Sequence, residues 1–334
     1  QFFLAKLDNK IVKLISDYCK YREIDYIICL SEEIKRLLIL SSEKIKGIKH
    51  AFPKPLAYDT ALQKSKSASF VKNLGVPTPK TYIIKNKSDL RKIKHDFREP
   101  LVVKGTRGDS STHVRYAYSS DELEKYFKEI CNIEKGISSA EDYPIVQEFI
   151  GGPTYLTQSI SQHGKVKAII PHLKLREWPV TGGVTTLGVT ISEPKIVAHT
   201  QKIMEALKWH GEAGMEWKYS PKIDDFYFIE MNPRFEGSVD IAIKSGVNLP
   251  LVLMDIIKNN TVDAIPEYSV NIFYRWFFQL DFRFFVNKPY GMIKFILESI
   301  NPNINGEIEI DDLNVLRDLY KKPIYEIINL IRKK

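Results

Sequence analysis

Cysteine is scarce in this chain: three residues in 334, Cys19, Cys29 and Cys131. They are too few and too scattered for a disulfide framework or a thiolate zinc site, and they suit a reducing cytosol. Long apolar runs are missing too. None approaches the roughly 20 residues that span a bilayer, which excludes a helical membrane protein. The opening Gln1-Phe2-Phe3-Leu4 meets charge at once and lacks the plan of a signal peptide. The seven histidines show no HxxxH or HxH spacing, so the sequence offers no histidine metal site. There is no internal repeat and no low-complexity tract. Both common nucleotide fingerprints, GxxxxGK[ST] and a GxGxxG opening a helix, are absent.

What remains is an ordinary globular balance, 44% hydrophobic and 27% charged, long enough for two or three packed subdomains. The net charge of +8 is unevenly placed. Residues 1–100 hold 21 Lys and Arg against 11 Asp and Glu, whereas the rest of the chain is slightly acidic. The residues with chemical promise lie mostly behind the basic part, so the surplus reads as a solvated face and not as a nucleic-acid site.

Apolar spacing (Ile11, Leu14, Ile15, Tyr18) predicts a helix over 9–21, followed by a short strand at Tyr26–Leu30 and a helix capped by Ser31. The α/β unit these begin looks incomplete at its start. Pro53 and Pro55 mark a connector, and a helix from about Thr60 to Asn73 ends at Gly75. Strands then dominate: 100–104 and 114–118 around the loop Gly105–His113, 144–150, and two strands split by His163-Gly164. Ser192 is expected to cap a helix reaching Trp209, ahead of a hairpin formed by 214–219 and 226–232. The aromatic stretch Phe273–Phe285 has no clean polar face and is expected to pack as core against the N-terminal domain.

Two constellations carry chemistry. Lys104 ends a strand and enters a loop rich in Gly, Ser and Thr, whose successive N–H groups can cradle an anion beside the lysine charge. Phe228-Ile-Glu-Met-Asn-Pro-Arg234 places Glu230, Asn232 and Arg234 at alternate positions, hence on one face of a strand opposite Ile229 and Met231. Glu216 can lie beside them on the preceding strand. Two carboxylates and an amide oxygen are hard ligands suited to Mg²⁺, and Arg234 offers a forked donor to a transferring phosphoryl group.

With those residues in their order, the chain resembles the ATP-grasp superfamily, carboxylate–amine ligase-like branch, of the carbamoyl-phosphate synthase and biotin carboxylase type. The likeness covers roughly Leu56 to Leu253. It implies an α/β and α+β protein: an ATP-grasp fold behind a partial Rossmann-like pre-ATP-grasp domain. The corresponding boundaries are 1–79, a small lid subdomain over 80–150, a core with the metal site over 151–265, and an extension over 266–334. By resemblance Lys64 and Lys104, with Gly105, Gly108, Ser110 and Ser111, bind phosphates and the loop closes as a lid. Gln147, Glu148, Phe149 and Ile150 form the adenine hinge, and Thr154 stands at the ribose position. Glu216, Glu230 and Asn232 hold Mg²⁺ (Mn²⁺ would serve), while Arg234 and Lys104 are catalytic. The stretch Trp178–Thr186, with Gly182 and Gly183, resembles the branch's substrate-side loop, and Lys174 and Arg176 approach it. Gln63 departs from the family, which often has Asp there. The implied activity joins a small carboxylate to an amine through an acyl phosphate, with release of ADP and phosphate, in a cytoplasmic protein compatible with a homodimer. Bicarbonate as the acid, or ATP binding without catalysis, are the alternatives.

Overall fold

A computed structural model describes residues 9–98, 100–106, 113–133, 143–180, 182–258, 262, 266–277, 281–286 and 291–306. The proposed loop residues Gly108, Ser110 and Ser111 lie outside the described residues.

The N-terminal part is helical: α1 (Asn9–Tyr21), α2 (Glu32–Leu40), α3 (Pro55–Leu62) and α4 (Lys64–Asn73). In α1 the buried positions are Val12, Ser16 and Cys19, while Leu14 and Tyr18 are exposed, so its inner face is turned from the one the apolar spacing suggests. Tyr26–Leu30 does not form a strand; Tyr26 makes one parallel bridge to Lys49. The helix expected over 60–73 is broken at Gln63, whose extended backbone ends α3 and makes Lys64 the first residue of α4.

A small four-stranded sheet follows, built from β1 (Thr81–Ile83), β2 (Leu101–Lys104), β3 (Val114–Ala117) and β4 (Ile145–Glu148) in the order β1-β4-β2-β3. Helices α5 (Lys87–His95) and α6 (Ser120–Ile133) back it, closing a core around Val103, Leu123, Ile130 and Val146. The larger sheet comprises β5 (Thr154–Gln162), β6 (Lys165–Trp178), β7 (Val184–Thr190), β8 (Gly211–Ser220), β9 (Asp225–Asn232), β10 (Phe273–Arg275) and β11 (Ile304–Gly306), in the order β11-β10-β7-β6-β5-β8-β9. Helix α7 (Pro194–Leu207) covers it; Glu193, not Ser192, is its cap, accepting from the Lys195 N–H ahead of Pro194. Helices α8 (Val239–Lys244) and α9 (Leu249–Ile257) follow β9, and α10 (Phe282–Val286) and α11 (Gly291–Ser299) lie near the end of the described chain.

The largest core joins the N-terminal helices to the back of β8 and β9. Val12, Leu38, Tyr58, Ala61 and Val71 pack with Trp209, Met215, Trp217, Phe228 and Met231. Each large apolar side chain so buried contributes roughly 1.5–3 kcal/mol. The aromatic stretch packs otherwise than expected: Phe277, Phe282, Phe285 and Phe295 cluster with one another, and α10 lies against α11 and β6. Among the described residues no helix is long and apolar enough to cross a membrane.

Candidate active site

The cleft of about 590 Å³ between the two sheets is lined at one end by Val102, Tyr116, Gln147, Phe149 and Ile150, and at the other by charge. Its size is that of a small-molecule site. Of the residues singled out from the sequence, Lys64, Lys104, Gly105, Gln147, Glu148, Phe149, Ile150, Thr154, Lys174, Gly182, Gly183, Glu216, Glu230, Asn232 and Arg234 all line it.

Strand pairing explains the charged end. Glu216 on β8 stands directly opposite Glu230 on β9, and Gly214 opposite Asn232. The register shifts by one residue next, so that Trp217 pairs with Phe228 and Ile229 is the extra residue. Without that bulge Glu230 and Phe228 would share a face. With it, Phe228 and Met231 stay in the core while Ile229 and Glu230 both face the cleft. Ile229 therefore is not opposite Glu230, as plain alternation predicts.

A second bulge, at Leu175, acts on β6. Lys174 pairs with Gly188, Arg176 with Leu187 and Glu177 with Thr185, so Leu175 is extra on β6 and Thr186 on β7 before the original register returns. Lys174 faces the cleft, donating to Glu216 Oε1 at 2.7 Å and to the Gly183 carbonyl at 3.1 Å. Arg176 leaves it. Its guanidinium is held by Asp281 at 2.8 Å and Glu298 at 2.7 Å, and Glu177 takes the cleft position instead. Arg275, fully buried, pairs with the same Asp281. The loop between β6 and β7 needs Gly183: a Cβ there would lie 2.0 Å from the Trp178 carbonyl carbon.

Around the acids, Lys64 lies 3.3 Å from Glu230. Burial pushes the Glu230 carboxyl up, but Lys64, then Lys104 and Lys174, overcome this and hold it below the ordinary glutamate range. Burial pushes Lys104 down to about 8. Burial pulls Lys174 down, but Glu216, with Glu177 and Glu236, overcomes this and raises it. Arg234 Nε lies 2.8 Å from Glu32, and its Nη1 donates to the Phe235 carbonyl at 3.1 Å.

Glu236 was missed by sequence reasoning. It continues the alternate series Glu230, Asn232, Arg234 by one more step, and that spacing was the signal available. It is buried, and its Oε1 accepts from Asn232 Nδ2 at 2.8 Å. With Glu236 Oε1 accepting, the Asn232 amide nitrogen is turned toward Glu236 and the amide oxygen is left for a cation. Burial, against the pull of Arg234, raises Glu236 to about 7. Lys218 and Glu177 also line the cleft without having been singled out. His113 lines it as well, whereas His172 is fully buried behind it, 3.1 Å from Ser238 Oγ.

The donor set suits a hard cation: two opposed carboxylates and an amide oxygen, with lysines balancing the acids in its place. Among the described residues no three His, Cys, Asp or Glu side chains form a ready metal cage. Mg²⁺ would accordingly complete its shell with phosphate oxygens and water.

The chain is 24% identical over 184 residues to a carbamoyl-phosphate synthase of Methanobrevibacter smithii, covering 52% of this chain and 46% of that one. It thus spans less than half the length of that relative. Among solved structures, the biotin carboxylase domain of Hydrogenobacter thermophilus 2-oxoglutarate carboxylase, a dimer with MgADP and bicarbonate, matches with a TM-score of 0.67. Identity is 17%, over 82% of this chain and 62% of that one. The L-amino acid ligase of Bacillus licheniformis gives a TM-score of 0.61 and 19% identity, over 75% of this chain and 61% of that one. Below 25% identity these likenesses establish the fold. The family model for the ATP-grasp domain matches residues 61–238, more than half of the chain, and the chain belongs to the ATP-grasp family.

Proposed function

We propose that the protein is an ATP-dependent ligase that activates a carboxylate as an acyl phosphate and joins it to an amine. One observation carries the reading: Glu216 and Glu230 face each other across β8 and β9, with Asn232 two residues on, opposite Lys64 and Lys104. Binding a nucleotide alone does not need that set. The apolar end of the cleft, from Gln147 to Ile150, would hold adenine, and Thr154 the ribose. Lys64, Lys104 and the Gly105 backbone would hold the phosphates.

A carboxylate oxygen of the acid attacks the γ-phosphorus, and the bond to the β,γ-bridging oxygen breaks, so ADP leaves. The amine nitrogen then adds to the acyl carbon, phosphate departs, and the nitrogen gives up a proton. Arg234 and Lys104 stabilise charge on the transferring phosphoryl group, and no side-chain nucleophile is needed. Mg²⁺ at Glu216, Glu230 and Asn232 would neutralise phosphate charge during transfer. The acyl phosphate would need shielding from water, which would otherwise hydrolyse it.

The carbamoyl-phosphate synthases among its relatives favour a second reading, in which bicarbonate is the acid. Screening amino acids, small dicarboxylates, peptides and bicarbonate for stimulated ADP release from MgATP separates the two. Hydroxylamine should trap an activated organic acid as its hydroxamate. AMP and pyrophosphate as products would sink both readings.

A further inference from the structure

We propose that Glu32 is a positioning residue for Arg234, and that through it helix α2 of the N-terminal part belongs to the catalytic apparatus. The proposal rests on the role given to Arg234 above. Arg234 follows the end of β9, beyond the ladder that fixes Glu230 and Asn232, so something else must orient its long side chain. Two carboxylates do. Glu32 Oε1 lies 2.8 Å from Nε, and Glu236 Oε2 lies 3.6 Å from Nη1. The Glu32 pair is about one-fifth exposed on each side, 21% and 20%, well short of the freely solvated state in which ion pairs contribute little.

Glu32 is suited to the task by its place in the helix. It is the first residue of α2, after Ser31, whose Oγ accepts from the Ile34 N–H. A carboxylate there sits at the positive end of the helix dipole. Three residues on, hence on the same side of the helix, Lys35 donates to the Pro233 carbonyl at 2.8 Å and pairs with Glu212. Lys35 is only 2% exposed, and a lysine buried so deeply is costly unless its charge is used. One face of α2 therefore holds the backbone before Arg234 by a hydrogen bond and the guanidinium by an ion pair, Glu32 Oε1 accepting no hydrogen bond among the described residues.

The helix is in turn anchored. Tyr58 Oη donates to the Glu32 carbonyl at 2.8 Å, and Arg36 pairs with Asp59 at 2.9 Å, fixing α2 to α3. Helix α3 leads through Gln63 directly into Lys64. The same helical frame thus places Lys64 at the phosphates and Glu32 at Arg234. No motif reading could show this, since Glu32 and Arg234 stand some two hundred positions apart in sequence.

Glu32→Gln, Glu32→Asp, Arg234→Lys and the double variant Glu32→Gln/Arg234→Lys, all in the full chain, decide the matter. The probes are ADP release from MgATP, alone and with the acids of the screen, and MgADP affinity. Glu32→Gln is expected to turn over roughly 10- to 100-fold more slowly, the scale of a reacting group displaced by a fraction of an ångström to 1 Å. MgADP should bind within about twofold of the parent, because adenine and the phosphate lysines are held elsewhere. Glu32→Asp should recover part of the rate. The double variant should be no slower than Arg234→Lys, since the two residues act as one unit. Parental turnover in Glu32→Gln, beside an impaired Arg234→Lys, overturns the proposal alone. Losses that multiply in the double variant do the same. Parental turnover in Arg234→Lys removes the role given to Arg234 and the proposal together.

Discussion

Replacing Gly214 by alanine tests whether the carboxylate beside Asn232 shapes the site. Gly214 lies on β8 opposite Asn232, and its missing side chain makes room for Glu236. A Cβ there would come within 2.2 Å of Glu236 Oε1, 2.5 Å of its Cγ and 2.7 Å of its Cδ. Contacts of ordinary length are about 3.5 Å, so the carboxylate must withdraw by about 1 Å. That breaks the 2.8 Å bond from Asn232 Nδ2 and lets the amide turn its nitrogen toward the cation position. Overpacking of this kind costs about 1–3 kcal/mol of stability. A displacement of 1 Å at a reacting centre costs about 10²-fold in rate. Turnover, MgADP affinity and thermal melting of Gly214→Ala should therefore show a large loss in the first, little change in the second and a lowered midpoint in the third. Adding Glu236→Ala removes the overlap, so the midpoint should recover while turnover stays low. A Gly214→Ala protein with parental turnover and melting would refute the reasoning, because Glu236 could then move without consequence.

Glu230→Gln removes the acid between Lys64 and Lys104; turnover should fall about 10²-fold or more, on the scale of losing a key electrostatic group. With that acid gone the lysines meet phosphate unopposed, so metal-free ADP should bind no more weakly than to the parent, and weaker binding would contradict the pairing. Lys104, pushed down to about 8 by burial, should gain a proton when phosphates arrive, so nucleotide binding at pH 8 takes up a fraction of a proton. Calorimetry in buffers of differing ionisation enthalpy measures this, and an equal uptake in Lys104→Met would assign it elsewhere. His172, pushed down to about 3 by burial and then by Lys174, is neutral when folded but takes a proton near 6.5 when unfolded. The unfolded state binds more protons between those values, so this contribution to stability is full above pH 6.5 and is lost as pH falls. Denaturant midpoints at pH 7.5 and 5 should drop less in His172→Gln than in the parent; equal drops would show that His172 does not supply the slope.

Much of the site was legible because its spacing follows strand geometry. Glu230, Asn232 and Arg234 recur every second residue, and Glu216 sits on the partner strand at the matching depth. Lys104 could be placed because a glycine-rich loop follows the end of a strand. The N-terminal strand was not legible, because Tyr26–Leu30 has the composition of a strand but pairs only at Tyr26. Composition sets the propensity, and a neighbour must supply the ladder. The break at Gln63 was hidden for a similar reason. Nothing in the apolar pattern over 60–73 interrupts a helix, yet the Lys64 N–H reaches the Thr106 carbonyl at 3.4 Å instead of continuing the helix of α3.

Arg176 marks the limit of reasoning by alternation. Lys174 and Arg176 stand two apart on one strand, and an undisturbed ladder would aim both at the same cleft. The paired irregularity at Leu175 and Thr186 turns Arg176 away and Glu177 inward, much as the extra residue at Ile229 brings Glu230 inward on β9. A bulge leaves no reliable trace in composition, because its cause is a mismatch between two strands and not a property of either. Its effect on chemistry is large. At β9 it lets Phe228 remain core while Glu230 enters the cleft. At β6 it exchanges an arginine for Glu177 in the wall of the cleft, and spends Arg176 on Asp281 and Glu298, which tie the C-terminal helices to the sheet. With Lys218 in the wall where Arg176 was expected, and Glu177 and Glu236 added, the cleft has as many cations as the sequence pattern implies and two acids more.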